Sequence, residues 1–271
     1  MNTIWTFGDS FIDSWSYMHY HEEQWTNQIA DKLKLKHIGL GFAGAAASYT
    51  YTQFDSNIEK FNKNDIVIIC VTGLNGKWFF KNLPYITNYQ TNRYQICTSN
   101  DETNAIEYYR RFLDDANTIN DFTYLLNFIV KVNYVAKKKK LKVIVLNSDN
   151  TTVDYLFKHK EKFDTINVVY YPLTAIEQKE MTKEFYKKWS STDFINDCRI
   201  NHLCRSNHDV LANKIVDYIN YGTNINLNNG FIENILDFDK EYDEEFLKIE
   251  LFGKKWTFWY TKEDFLNDIK N

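Results

Sequence analysis

Residues 8–10 read Gly8-Asp9-Ser10, at the end of a short apolar run near the start of the chain. A serine in such a turn has two readings. Its hydroxyl is a poor nucleophile at neutral pH unless a neighbouring base takes its proton, and histidine is the side chain whose unperturbed pKa suits that task. Without a base, the same serine is an ordinary helix N-cap following a strand. His202, in NDCRINHLCRSNHDVLA, is the candidate base, although taken singly it is a helix-entry residue, and His208 six positions on reads as structural. A second constellation, His19, His21, Glu22 and Glu23 in YMHYHEE, could converge on an ion, but no third partner has recognisable spacing, so a loop is expected there rather than a metal site. The four cysteines, Cys70, Cys97, Cys198 and Cys204, form no CxxC pair and read as reduced structural thiols, Cys70 as an inert one inside an apolar strand.

These residues are positioned by elements that the apolar pattern makes legible. NTIWTF (2–7) reads as a strand; Trp25, Ile29 and Leu33 then recur at a spacing of four, which predicts a helix. KHIGLGF predicts a second strand, and GAAASYTYTQFDSNIEKF a loop leading into a second helix. DIVIICV (65–71) is continuously apolar and β-branched, the signature of a strand buried on both faces of a parallel sheet. Residues 77–104 lack periodicity and read as an irregular excursion. From about residue 105 the chain turns helical, with Phe122, Leu125, Leu126, Ile129 and Val132 on one stripe; the lysines 137–140 close it, where cations oppose the helix dipole. Strands at 141–146 and 166–171 follow, then a helix carrying Leu211, Ile215 and Ile219. This alternation predicts an α/β domain with a mainly parallel sheet over residues 1–221, and residues 222–271 read as an appendage with a β-hairpin (LKIELFGKKWTFWY) and a short helix.

In open α/β sheets, sites form where strands deliver their carboxyl ends. The first strand ends at Gly8-Asp9-Ser10, the second at Gly39 to Gly44, the third at Thr72-Gly73-Leu74-Asn75. With His202 late in the chain, that order resembles the SGNH (GDSL-type) hydrolase superfamily; the family's histidine is followed six residues on by a second His and ten on by an Ala, positions held by His208 and Ala212. The resemblance implies a flavodoxin-like three-layer α/β/α sandwich and hydrolysis of an ester or thioester through an acyl-enzyme on Ser10, with His202 as general base and then acid. The oxyanion donors it implies are the backbone N–H of Ser10, the backbone N–H of Gly44 and the side-chain amide of Asn75; removing one such donor costs on the order of 10² to 10³ in rate. No cofactor is implied. Two positions depart from the family pattern. The acid that lies three residues before the histidine is replaced by Arg199, which cannot accept the imidazole N–H, so Asp197 is the expected substitute and Asp193 a fallback; Gly76 replaces the Asp after Asn75. An SGNH-fold binding module with an impaired triad, or an acyltransferase, therefore stands beside the esterase as an alternative.

Composition narrows the partners. The 271 residues carry a formal charge of −4, against a surface that tracks nucleic-acid phosphates, and 44% are hydrophobic, ample for a core. No window approaches the apolar length of a membrane span and no secretory signal opens the chain, so a cytosolic protein acting on a small or polymer-linked acyl ester is expected. The bias towards Asn, Lys, Ile, Tyr and Phe points to an AT-rich genome, a viral one among them.

Overall fold

The computed structural model describes residues 2–13, 24–42, 45, 47–72, 77–80, 83–87, 118–191 and 200–236. Gly44, Asn75, Gly76, Asp193, Asp197, Arg199, the His19–Glu23 cluster, Cys97, Cys198 and the expected C-terminal hairpin lie outside the described residues. The elements run β1 (Thr3–Gly8), α1 (Trp25–Leu33), β2 (Lys36–Gly41), α2 (Ala47–Asn57), β3 (Ile66–Val71), β4 (Lys77–Phe80), β5 (Leu83–Thr87), α3 (Thr118–Lys139), β6 (Lys142–Asn147), α4 (Asn150–Lys158), β7 (Asn167–Pro172), α5 (Leu173–Lys179), α6 (Lys183–Ser191) and α7 (Arg205–Tyr221).

Five strands form one sheet in the order β2-β1-β3-β6-β7, every pair parallel. Their apolar runs are explained by what each face meets. Side chains alternate along a strand, so Ile4, Ile66, Ile68, Ile144 and Leu146 join one buried layer with Trp25 and Ile29 of α1 and Leu211 and Ile215 of α7. The intervening residues Trp5, Phe7, Val67, Ile69, Val143 and Val145 join the other, against Phe54 of α2, Phe128 and Val132 of α3 and Leu156 of α4. A sheet covered on both faces has no solvent side, which is why 65–71 shows no polar alternation. The fold is the expected α/β/α sandwich with a parallel, flavodoxin-like sheet.

Two parts of the sequence reading are corrected. Within 77–104, read as irregular, β4 and β5 pair antiparallel through Lys77–Thr87, Trp78–Ile86 and Phe80–Leu83. Aromatic and β-branched residues favour a strand even where a strict alternation is missing, and Pro84 obscured the second strand. Beyond β7, two helices that the periodicity left unread, α5 and α6, precede the turn to α7.

The strand order reverses direction beside β1, because the chain passes from β1 to β2 on one side and then returns to β3 on the other. A crevice at the carboxyl ends follows. Gly8 and Gly41 pair across β1 and β2 there, and Ile12 is seated on both. A Cβ at Gly8 would lie 2.7 Å from Ile12 Cγ2 and 2.9 Å from Cys70 O; one at Gly41 would lie 2.6 Å from Ile12 Cγ2 and 3.0 Å from its carbonyl oxygen. The glycines let the turn after β1 fold down onto the sheet.

Candidate active site

Ser10 stands in a turn that is fixed from four directions. Asp9 Oδ1 accepts the Phe11 N–H (3.0 Å) and Asp9 O accepts the Ile12 N–H (3.1 Å), so the aspartate folds its own turn. Trp25 Nε1, at the start of α1 and fully buried, donates to Phe11 O (2.8 Å). Phe42 N–H donates to Gly8 O (3.1 Å), tying the turn to the end of β2. Asn201 supplies the fourth tie. It is fully buried and faces two carbonyl oxygens, so its amide nitrogen turns towards them and donates to Ser10 O (2.8 Å) and Asp13 O (3.0 Å).

Asn201 belongs to the short turn Ile200–His202, and both Asn201 (φ 49°) and His202 (φ 58°) are left-handed. Non-glycine residues adopt that region at a cost, and it recurs at functional sites when surrounding contacts enforce it. Here the Asn201 bonds enforce it, together with Phe11, whose ring lies 4.8 Å from that of His202. The next residues are anchored as well: both oxygens of the buried Glu180 accept the Cys204 N–H at 2.9 Å, and Glu180 Oε1 accepts from Asn207 Nδ2 (2.7 Å). A carboxylate at the N-terminus of α7 is also stabilised by its dipole.

The outcome is that Ser10 Oγ lies 2.7 Å from His202 Nε2. Oγ–H donating to Nε2 requires a neutral ring protonated on Nδ1. Glu177 Oε1 lies 3.7 Å from Nδ1, on the opposite side of the ring; the Glu177 side chain is 10% exposed and that of His202 27%. Glu177 comes from α5, which begins directly after β7 and is locked to the end of β6 by the Thr174 N–H to Ser148 O bond (3.1 Å). Asp9 is the other nearby anion. Burial pushes its carboxyl up to about 6, while the Phe11 N–H and the His202 charge pull it partly back.

Of the residues singled out from the sequence, Ser10 and His202 are brought together. His208 is fully buried with its Nδ1 accepting the Trp25 N–H (3.1 Å), so it caps α1 from α7. Cys70 is buried in β3, and burial raises its thiol well above the ordinary value. Glu177 was not singled out from the sequence, since it lies on a short helix after the last strand and belongs to no motif. Its place shows only in the structure: in LTAIEQK, Leu173 and Ile176 are buried on one stripe, and Glu177 takes the next position on it, where an apolar residue is the rule.

No protein-family model matches the chain, and no curated protein matches it in sequence. Among solved structures it is similar to a lipolytic protein of the G-D-S-L family from Desulfitobacterium hafniense, at 13% identity and a TM-score of 0.42, over 80% of this chain and 98% of that one. It is similar to a carbohydrate esterase family 2 enzyme from Corynascus thermopiles (Myceliophthora fergusii), at 10% identity and a TM-score of 0.39, over 80% of this chain and 66% of that one. The psychrotrophic esterase EstA from Pseudoalteromonas sp. matches at 15% identity and a TM-score of 0.34, over 71% of this chain and all of its own length, 100%. Likenesses this distant carry neither residue roles nor activity to this chain. Its own fold and site define an α/β protein with a hydrogen-bonded serine–histidine pair beside the carboxyl end of a central parallel strand.

Proposed function

We propose that the chain is a serine hydrolase that cleaves an acyl ester through an acyl-enzyme on Ser10. The observation that carries this is the 2.7 Å contact between Ser10 Oγ and His202 Nε2 on a turn held from several directions. Oγ attacks the acyl carbonyl carbon as Nε2 takes the hydroxyl proton, giving a tetrahedral oxyanion. The intermediate collapses, the ester C–O bond breaks, and the leaving alcohol takes the proton from Nε2. Water then adds to the acyl-enzyme with Nε2 as base, and the second collapse releases the acid and returns the proton to Oγ. The Ser10 N–H, the Gly44 N–H and the Asn75 amide are the proposed oxyanion donors. Preorganisation of the turn matters because a positioned nucleophile avoids the entropy of finding its base at each turnover.

A fluorophosphonate probe tests the reading. Wild-type chain is expected to form a one-to-one adduct on Ser10, and Ser10→Ala none; hydrolysis of short-chain aryl esters falls in Ser10→Ala by a factor on the order of 10⁴ or more. Folded wild-type chain that takes no label and hydrolyses no ester of a broad acyl panel overturns it.

A further inference from the structure

We infer that Glu177 is the carboxylate that orients His202, replacing from a different helix the acid that Arg199 has displaced from the histidine's own loop. The inference rests on the reading of Ser10 as a nucleophile and His202 as its base. Three independent observations support it. The first is geometric: Glu177 Oε1 faces Nδ1 at 3.7 Å while Ser10 Oγ holds Nε2 at 2.7 Å, so carboxylate and hydroxyl flank one ring. That distance is longer than a hydrogen bond, as catalytic contacts often are before substrate tightens them. The second is pattern: Glu177 shares the buried stripe of Leu173 and Ile176, and a carboxylate among buried positions is costly without a charged or hydrogen-bonding partner. The third is electrostatic: Glu177 lies in the second half of α5, where the helix dipole disfavours a negative charge, so helix stability does not explain it.

A carboxylate facing Nδ1 holds the proton there, which leaves the Nε2 lone pair aimed at Ser10, and it stabilises the imidazolium formed when that proton moves. Glu177 never touches the substrate, so it is a positioning residue. Asp9, from the turn after β1, is the other charged group coupled to the ring, and Phe11 covers the ring beside it.

The test uses full-length chain with Glu177→Gln, a near-isosteric change, and Asp197→Asn beside it. Histidine-ring NMR, with the His202 signal assigned by its loss in His202→Gln, is expected to show His202 titrating lower by about one unit or more in Glu177→Gln. Labelling of Ser10 by a fluorophosphonate is expected to slow by a factor on the order of 10² to 10⁴. The slowing persists at pH values above the measured His202 titration of both proteins, because orientation as well as charge is lost. Asp197→Asn leaves both readouts near wild type. The inference is overturned if His202 titrates unchanged in Glu177→Gln, if labelling recovers fully at high pH, or if Asp197→Asn produces both effects instead. A wild-type chain that takes no label while Glu177→Gln still lowers the His202 titration keeps the pairing and removes the nucleophile reading, so the two failures are distinct.

Discussion

Asp9 precedes Ser10 and carries a carboxyl whose folded-state pKa, about 6, exceeds its ordinary 3.8 because burial penalises the charged form. The sign follows from linkage. A raised pKa means that the folded chain holds the proton more tightly, so this group's stabilising contribution is complete below about pH 3.8 and is lost as pH rises through about 6. Asn cannot ionise but keeps an oxygen for the Phe11 N–H. Asp9→Asn is therefore expected to gain stability relative to wild type as pH rises from 4 to 7, read as a growing difference in urea midpoint; a constant difference would contradict the burial argument. Gly41 supplies a second prediction at this scale. Ile12 leaves no room for a Cβ there, so Gly41→Ala overpacks the floor of the Ser10 turn, costs about 1–3 kcal/mol in urea unfolding, and slows Ser10 labelling. Ser10 and His202 were legible because their types announce their chemistry. Glu177 was not, because a glutamate announces nothing until the stripe it occupies is known to be buried.

The elements divide in the same way. β1, β2, β3, β6, β7, α1 and α7 were legible from apolar runs or four-residue spacing, which the buried faces of β1, β3 and β6 impose most strongly. β4 and β5 are short strands in a two-stranded sheet, and α5 has seven residues, too few for a periodicity to show. The seat of α7 is the element on which the site depends most, since His202 lies three residues before the helix and Glu180 holds its first turn. Glu180→Ala leaves the buried Cys204 N–H and the Asn207 amide short of an acceptor, at a cost of about 1–3 kcal/mol for each group left unsatisfied. The expected result is a lower urea midpoint together with slower labelling of Ser10, since the turn that carries His202 loses its anchor. Unchanged labelling in a destabilised protein would show that Asn201 and Phe11 hold the histidine by themselves.

At the scale of the whole molecule, residues 222–236, placed by the sequence reading in an appendage, lie on the domain. Ile225, Leu227 and Leu236 are buried, the first two in the same layer as α1 and α7. Leu236 bridges to Met181, and Ile232 exchanges hydrogen bonds with the Asn207 side chain (2.8 and 2.9 Å). Leu227→Ala and Leu236→Ala are each expected to cost about 2–5 kcal/mol in urea unfolding of the full chain, as core leucines do. Near-neutral values would mark this segment as separable. Its contacts were invisible in the sequence because an irregular strand of chain has no period to betray which residues it buries.

Ser10 and His202 are separated by 192 positions in the chain, yet stand 2.7 Å apart. During synthesis the serine therefore leaves the ribosome long before its histidine does, and almost the whole sheet must close before the two can meet. A fragment ending anywhere short of residue 202 carries an ordinary alcohol. On the proposed reading, reactivity arrives only with nearly complete assembly of the sheet.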